Sequence, residues 1–374
     1  MTTLSICFFI IASIYFVGLL AFIIGNTRKE AHLSVINDPF SVSVIVAIRD
    51  GAGPLPVLLR TMSTQTYKGK LEFIIVDDES SDDTAGIIQS WAKKDSRFLY
   101  VSSLEADDQN LRLKKRTLTA GIEKASGDIL LFTDADCHMG PCWIQSMAGC
   151  FSQNVDYVIG YAETHPSFSV VSRFQNLDLM MLMAGTRGIT HLGSAWASTG
   201  QNQAYRKSLF FQTGGFSKIS DFLQGDDSLF LQITRKFANS KVIFNSDPHS
   251  FITGRTEEKW GNLLRQRIRW AGDSLIIWRF NKIFFLYILS VFITNALLLI
   301  SFTGMFPFIE VLSIILIKFC LEFTLFNIFT GQIKVKRKWT NFVYWFVLQI
   351  PYIVLMGVMS FIASKFSWRG RQLS

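Results

Sequence analysis

Asp134 and Asp136 stand one residue apart in "LLFTDADC", where an apolar run that reads as a strand stops. Two carboxylates so placed can hold a hard divalent cation through oxygen ligands and leave coordination positions for a substrate diphosphate. An ordinary acidic turn has the same appearance. Carboxylates recur in pairs: Asp77 and Asp78 follow "LEFIIV", and Asp226 and Asp227 precede the apolar run 228–237. For the first pair the competing role is helix capping, because Ser80 and Asp83 have the spacing of a capping box. For the second it is stabilisation by a helix dipole. The stretch "LLRQRIRW" adds Gln266, Arg269 and Trp270. A guanidinium grips phosphate through two parallel hydrogen bonds, and an indole face can stack on a sugar ring. An interfacial helix with snorkelling arginines accounts for the arginines but leaves the glutamine unexplained.

The elements that must position these groups follow from periodicity. Residues 42–48, 71–76, 97–102 and 128–133 are short runs rich in Val, Ile and Phe and read as buried strands. The segments 54–65, 82–94 and 115–126 between them read as helices. Such alternation predicts right-handed crossovers and a parallel α/β sheet. Ligands of open sheets bind beyond the carboxyl ends of the strands, which is where Arg49, Asp50, Asp77, Asp78, Asp134 and Asp136 fall.

At 374 residues the chain can bury a full core, but four apolar runs are too continuous for a water-soluble fold. Residues 1–27 carry no charged side chain and lack the basic start and cleavage site of a signal peptide, so they read as an uncleaved anchor. Residues 283–309 are also uncharged, about 306–326 contain Glu310, Lys318 and Glu322, and 341–364 contain Pro351, which would kink the segment or make it re-entrant. Glu310, Lys318 and Glu322 share one helical face, either as an intrahelical Lys318–Glu322 pair or as a site for a lipid head group. The net charge of +8 comes largely from clusters beside these runs, from Arg255 to Lys282 and from Lys334 to Lys338, so it points to membrane surface and not to nucleic acid. Positive loops place residues 28–282 in the cytoplasm. The basic segment 364–374 conflicts with that topology when four spans are counted. Five cysteines fit free thiols, and "CHMGPC" lacks the second ligand pair of a structural zinc site.

An acidic pair after the second strand, a D-x-D, a later acidic pair and Q-x-x-R-W, here "VDDES", "DAD", "GDD" and "QRIRW", together resemble the membrane-bound family 2 glycosyltransferases. That group includes cellulose, chitin and hyaluronan synthases and ceramide glucosyltransferase. The resemblance spans residues 42–270 and the membrane anchors. It implies an A-type nucleotide-diphospho-sugar transferase fold, a Rossmann-like, mostly parallel sheet, joined to α-helical transmembrane segments. The expected domains are an anchor at 1–27, a cytoplasmic transferase domain at 41–254, interfacial helices at 255–282 and a C-terminal membrane region at 283–374.

By the same resemblance, Asp77 or Asp78 contacts the nucleotide base, with Lys114 near the nucleotide. Asp134 and Asp136 hold the sugar diphosphate through Mg2+ or Mn2+, Asp136 being the main metal ligand. Asp227 is the general base, with Asp226 as the alternative. Gln266, Arg269 and Trp270 bind the diphosphate and the acceptor, and residues 199–207 resemble an acceptor-side loop. Two departures stand out: Arg49-Asp50 where relatives often have Asn-Glu, and Gly-Asp-Asp where they have Thr-Glu-Asp. The second leaves the choice of base open. The expected reaction is an inverting transfer from a nucleotide sugar, with UDP the expected nucleotide, to a lipid or saccharide acceptor at the cytoplasmic face of a membrane, the inner membrane in a bacterium. A processive polysaccharide synthase, a nucleotidyltransferase and an inactive membrane binding protein are the alternatives. Few spans argue against the first and Q-x-x-R-W against the second.

Overall fold

The computed structural model describes residues 2–28, 39–108, 110–151, 154–222, 224–272, 274–336 and 338–361. The basic C-terminal segment 364–374 lies outside the described residues. Contacts divide the chain into two units: Met1–Lys29, Thr164–Trp196 and Thr256–Ser374 form one, and Glu30–Glu163 with Ala197–Arg255 form the other.

In chain order the elements are α1 (Thr3–Thr27), β1 (Val42–Ile48), α2 (Leu55–Ser63), β2 (Leu71–Asp77), α3 (Thr84–Lys94), β3 (Phe98–Ser102), α4 (Leu113–Lys124), β4 (Ile129–Phe132), β5 (His138–Met139), α5 (Trp143–Ala148), β6 (Tyr157–Gly160) and β7 (Ala162–Thr164). They continue with α6 (Val170–His191), β8 (Gln203–Arg206), α7 (Lys207–Gln212), α8 (Ser228–Ala238), β9 (Val242–Asn245), β10 (Ile252–Gly254), α9 (Trp260–Ala271), α10 (Ser274–Phe280), α11 (Lys282–Ile300), α12 (Phe308–Gln332) and α13 (Trp339–Ser360).

In the second unit seven strands form one sheet in the order β3-β2-β1-β4-β8-β6-β9. β1 pairs in parallel with β2 and β4, β2 with β3, and β6 with β9; β8 runs antiparallel to both of its neighbours. The result is the mostly parallel α/β sheet that the alternation of elements implies. Val42, Val44, Ile45, Val46 and Ile48 of β1 are all buried, as expected of a central strand covered on both faces. The chain runs outward from β1 to β3 and then returns to the other side of β1 as β4, so a topological switch point lies between β1 and β4. The D-x-D follows β4 directly.

The capping box at Ser80 does not form. Ser80 Oγ instead accepts the amide of Asp50, and α3 starts four residues later, where Asp82 Oδ1 accepts the amide and the hydroxyl of Thr84. The serine is used to tie two strand-end loops together.

In the first unit, α1, α11 and α13 are long and apolar enough to cross a membrane. α12 is 25 residues long but carries Glu310, Lys318 and Glu322. Lys318 Nζ lies 2.9 and 3.0 Å from the two carboxylate oxygens of Glu322, and both residues are buried. Tyr15 of α1 and Gln349 of α13 donate to the same carboxylate. The pair is therefore intrahelical and also joins three helices. α13 continues as helix through Pro351. α6 crosses α1 at Gly25 and Gly188, where a Cβ on Gly25 would lie 1.8 Å from the Gly188 carbonyl oxygen. Only glycine allows that approach, and Asn26 seals it by donating to the Ala184 carbonyl and accepting from Arg187.

Candidate active site

β4 ends in a tight turn closed by a hydrogen bond from the Cys137 amide to the Asp134 carbonyl, 3.1 Å, so Ala135 and Asp136 form the turn itself. At the first turn of α4, Lys114 Nζ lies 3.0 Å from Asp134 Oδ1 and 3.0 Å from Asp226 Oδ2. One ammonium thus ties the D-x-D to the later acidic pair, 92 residues further along the chain. Burial alone would lower the Lys114 pKa, but Asp134, Asp226 and Asp227 together raise it, so the side chain stays charged.

Asp227 caps α8 by accepting the amide of Ser228, and its Oδ2 accepts the Gly200 amide at 3.1 Å. Helix capping and membership of the acidic cluster therefore coexist in one side chain. Burial, and then the neighbouring Asp226 charge, push its pKa up to about 6, against the two backbone donors and Lys114. A Cβ on Gly200 would lie 3.0 Å from Lys114 Nζ, 3.3 Å from Asp226 Oδ2 and 3.7 Å from Asp227 Oδ2. Glycine keeps that space open. The rest of the 199–207 stretch is anchored inward: Asn202 Nδ2 donates to the Tyr161 and Ser250 carbonyls, and Gln203 Nε2 to the Asp226 carbonyl.

Lys115, fully buried, donates to the carbonyls of Phe222 and Gln224 just before the acidic pair. Consecutive lysines of α4 thus hold the acids and the backbone that leads to them. Sequence reading missed Lys115 and the role of Gly200. The "LKK" run was visible, but the partners of Lys115 lie more than 100 residues away.

Asp77 and Asp78 form a separate cluster at the end of β2. Asp78 is 1% exposed; Ser103 Oγ donates to its Oδ1 at 3.1 Å, Arg116 Nη2 lies 3.5 Å from the same oxygen, and Arg49 Nη1 donates to its carbonyl at 2.7 Å. Asp77 is held more lightly, by the Ser80 amide at 3.2 Å and the Tyr100 hydroxyl at 3.5 Å. Asp50 and Glu79 flank this edge with φ of 45° and 55°, left-handed values that aspartate tolerates and that are uncommon for glutamate. The Ser81 amide and hydroxyl hold the Asp50 carboxyl below the usual carboxylate range.

Gln266, Arg269 and Trp270 lie on α9, in the first unit. α9 packs through Ile268, Leu264 and Ala271 against Met356, Tyr352 and Met359 of α13. Its arginines do not all snorkel: Arg267 is 3% exposed and lies 3.0 Å from Asp178 Oδ2 of α6. This pair was also missed, although position 267 falls on the apolar stripe of the helix.

The donor set suits a hard cation. Among the described residues no three His, Cys, Asp or Glu side chains gather closely enough to enclose a metal ion. Mg2+ is typically held by one or two carboxylates with water and substrate phosphate completing its shell. The D-x-D can supply that number, and the side chain of Asp134 remains one-third exposed (33%).

A family profile described as glycosyl transferase family 21 matches residues 16–374. The chain is 33% identical over 252 residues to glycosyltransferase AglE of Haloferax volcanii, covering 66% of this chain and 76% of the relative. It is 26% identical over 247 residues to an N-acetylglucosaminyltransferase of Mesorhizobium japonicum, covering 63% of this chain and 56% of the relative. The chain therefore spans three quarters of the first relative and little more than half of the second. In fold it is similar to a mannosyltransferase from Pyrobaculum calidifontis solved in complex with GDP-Man and Mn2+, with a TM-score of 0.58, 16% identity and coverage of 96% of this chain and 97% of that one.

Proposed function

The chain belongs to glycosyl transferase family 21, and from that premise we propose that it moves a sugar from a nucleoside diphosphate sugar to a hydroxyl of a membrane lipid, with inversion at the anomeric carbon. The lipid-acceptor reading is carried by one observation: the Q-x-x-R-W helix packs along α13, a helix able to cross a membrane. Gln266 and Trp270 then bind an acceptor that arrives from the bilayer. The basic residues flanking the apolar helices favour the cytoplasmic face.

Asp77 contacts the nucleotide base in this account, because Asp78 is already engaged by Arg49, Arg116 and Ser103. Asp134 and Asp136 face the diphosphate, and a divalent cation held there, Mg2+ or Mn2+, would offset the charge of the departing group. Lys114 keeps Asp134 and Asp226 together and adds a fixed positive charge at that edge. Asp227 takes the proton of the acceptor hydroxyl as its oxygen bonds to the anomeric carbon. The bond from that carbon to the diphosphate breaks, and the nucleoside diphosphate leaves with its electron pair. A carboxylate oriented by two backbone amides, with a pKa raised towards neutrality, suits general-base work.

The test is nucleoside diphosphate release by the detergent-solubilised protein, screened over nucleotide sugars with Mg2+ or Mn2+, with and without membrane lipid. Lipid-stimulated release and a product of inverted anomeric configuration are expected. Release that ignores lipid, or a retained configuration, would reject the reading.

A further inference from the structure

α9 is amphipathic, and its inward stripe comprises Leu263, Leu264, Arg267, Ile268 and Ala271. Arg267 is out of place in this stripe. Its side chain is 3% exposed, and Nη2 lies 3.0 Å from Oδ2 of Asp178, itself 11% exposed. Taking two such charges out of water costs several kcal/mol per ion, and an apolar pair of similar volume is often as stable. Stability alone is therefore a poor reason for the pair.

The guanidinium has a second contact. Its central carbon lies 4.2 Å from the ring centroid of Trp270, three residues on and on the same side of the helix. The planar group is thus engaged by a carboxylate and an indole, while the ring of Trp270 stays partly exposed. None of the three Arg267 nitrogens makes a well-aligned hydrogen bond among the described residues, so the group is oriented by the close charge of Asp178 and by its contact with the Trp270 ring. Trp345 and Tyr352 of α13 also approach the same carboxylate.

We propose that Asp178 and Arg267 are positioning residues that fix the orientation of Trp270 and thereby govern use of the acceptor. The assignment rests on the proposed acceptor role of Trp270. A lysine in place of Arg267 could approach the carboxylate as a point charge but could not also lie flat on the indole. Asparagine at 178 would keep the shape and lose the charge. Neither residue lies in the carboxylate cluster around Lys114.

The test uses the full-length protein in detergent, labelled with 5-fluorotryptophan, the Trp270 resonance being assigned by its loss in Trp270→Phe. In Asp178→Asn and Arg267→Lys that 19F resonance should shift or broaden. The acceptor KM should rise about tenfold while the donor KM and kcat stay within about twofold. The double variant Asp178→Leu with Arg267→Met guards against simple misfolding: it should melt near the wild-type temperature yet keep the raised acceptor KM. An unchanged Trp270 resonance in the single variants, or a normal acceptor KM in the stable double variant, would overturn the proposal. If the wild type transfers sugar to no lipid, the functional reading fails, and the Trp270 resonance still decides whether the pair positions the ring.

Discussion

Asp227 is where the chemistry is most sharply constrained. With its pKa pushed up to about 6 by burial and by Asp226, it is protonated at lower acidity than an ordinary carboxyl, whose pKa is near 4. A base works only unprotonated, so kcat/KM should level off above about pH 7 and fall about tenfold per unit well below pH 6. A limb centred near pH 4 in the pH–rate profile would remove Asp227 from that role. Gly200 gives a second residue-level test. Alanine there would crowd Lys114 Nζ and Asp226 Oδ2 by a few tenths of an ångström and bring a methyl against Asp227 without touching the core. Turnover of Gly200→Ala should drop on the order of tenfold with little change in melting temperature. The carboxylate pairs were legible in the sequence because each follows or precedes an apolar run. Lys115, Gly200, Arg267 and Asp178 were not, because their roles come from partners far along the chain.

At the scale of elements, β1, β2, β3 and β4 were readable to within a residue or two; in β1, β2 and β4 continuous apolar runs leave few alternatives in a sheet covered on both faces, and edge strand β3 still carries a short apolar run. The start of α3 was misread. The hydroxyl of Ser80 had a better partner in Asp50, thirty residues away, and no local window shows that competition. The charged face of α12 was legible as a face but not as a junction. Lys318 and Glu322 meet each other, and Tyr15 and Gln349 complete the carboxylate's hydrogen bonds from two other helices. Lys318→Leu should leave Glu322 buried and uncompensated and destabilise this unit by about 3–5 kcal/mol. Lys318→Met combined with Glu322→Gln, which keeps acceptors and donors for Tyr15 and Gln349, should recover most of that loss in thermal unfolding in detergent. Equal loss in both variants would mean that the charges matter for something beyond their pairing.

For the whole molecule, periodicity and charge placement gave the combination of an α/β sheet with apolar helices. They did not show that residues 164–196, a helical stretch between strands of the sheet, group with the apolar helices. α6 is the reason: its small and polar positions Gly188, Ala184 and Arg187 meet α1, a relation carried by Gly25 and Asn26 at the far end of the chain. If α1 inserts into a bilayer, its exposed apolar side chains Ile10, Ile14 and Val17 face lipid. Lysine at both Ile10 and Ile14 adds about 2.5–3.5 kcal/mol per residue to the insertion cost at the helix centre. The double variant should shift from carbonate-resistant to partly carbonate-extractable. Unchanged resistance would assign anchoring to α11 and α13 alone.

The central claim is transfer of a sugar to a lipid hydroxyl, with Asp136 serving the donor and Asp227 the acceptor proton. The most direct measurement is incorporation of labelled sugar into extracted lipid by wild type, Asp136→Ala and Asp227→Asn, alongside donor binding to each. The account predicts metal-dependent incorporation by the wild type and loss of both donor binding and transfer in Asp136→Ala. Asp227→Asn should bind donor normally, with transfer reduced about 10²- to 10⁴-fold. Substantial incorporation by Asp227→Asn, with Asp226 intact, would contradict it.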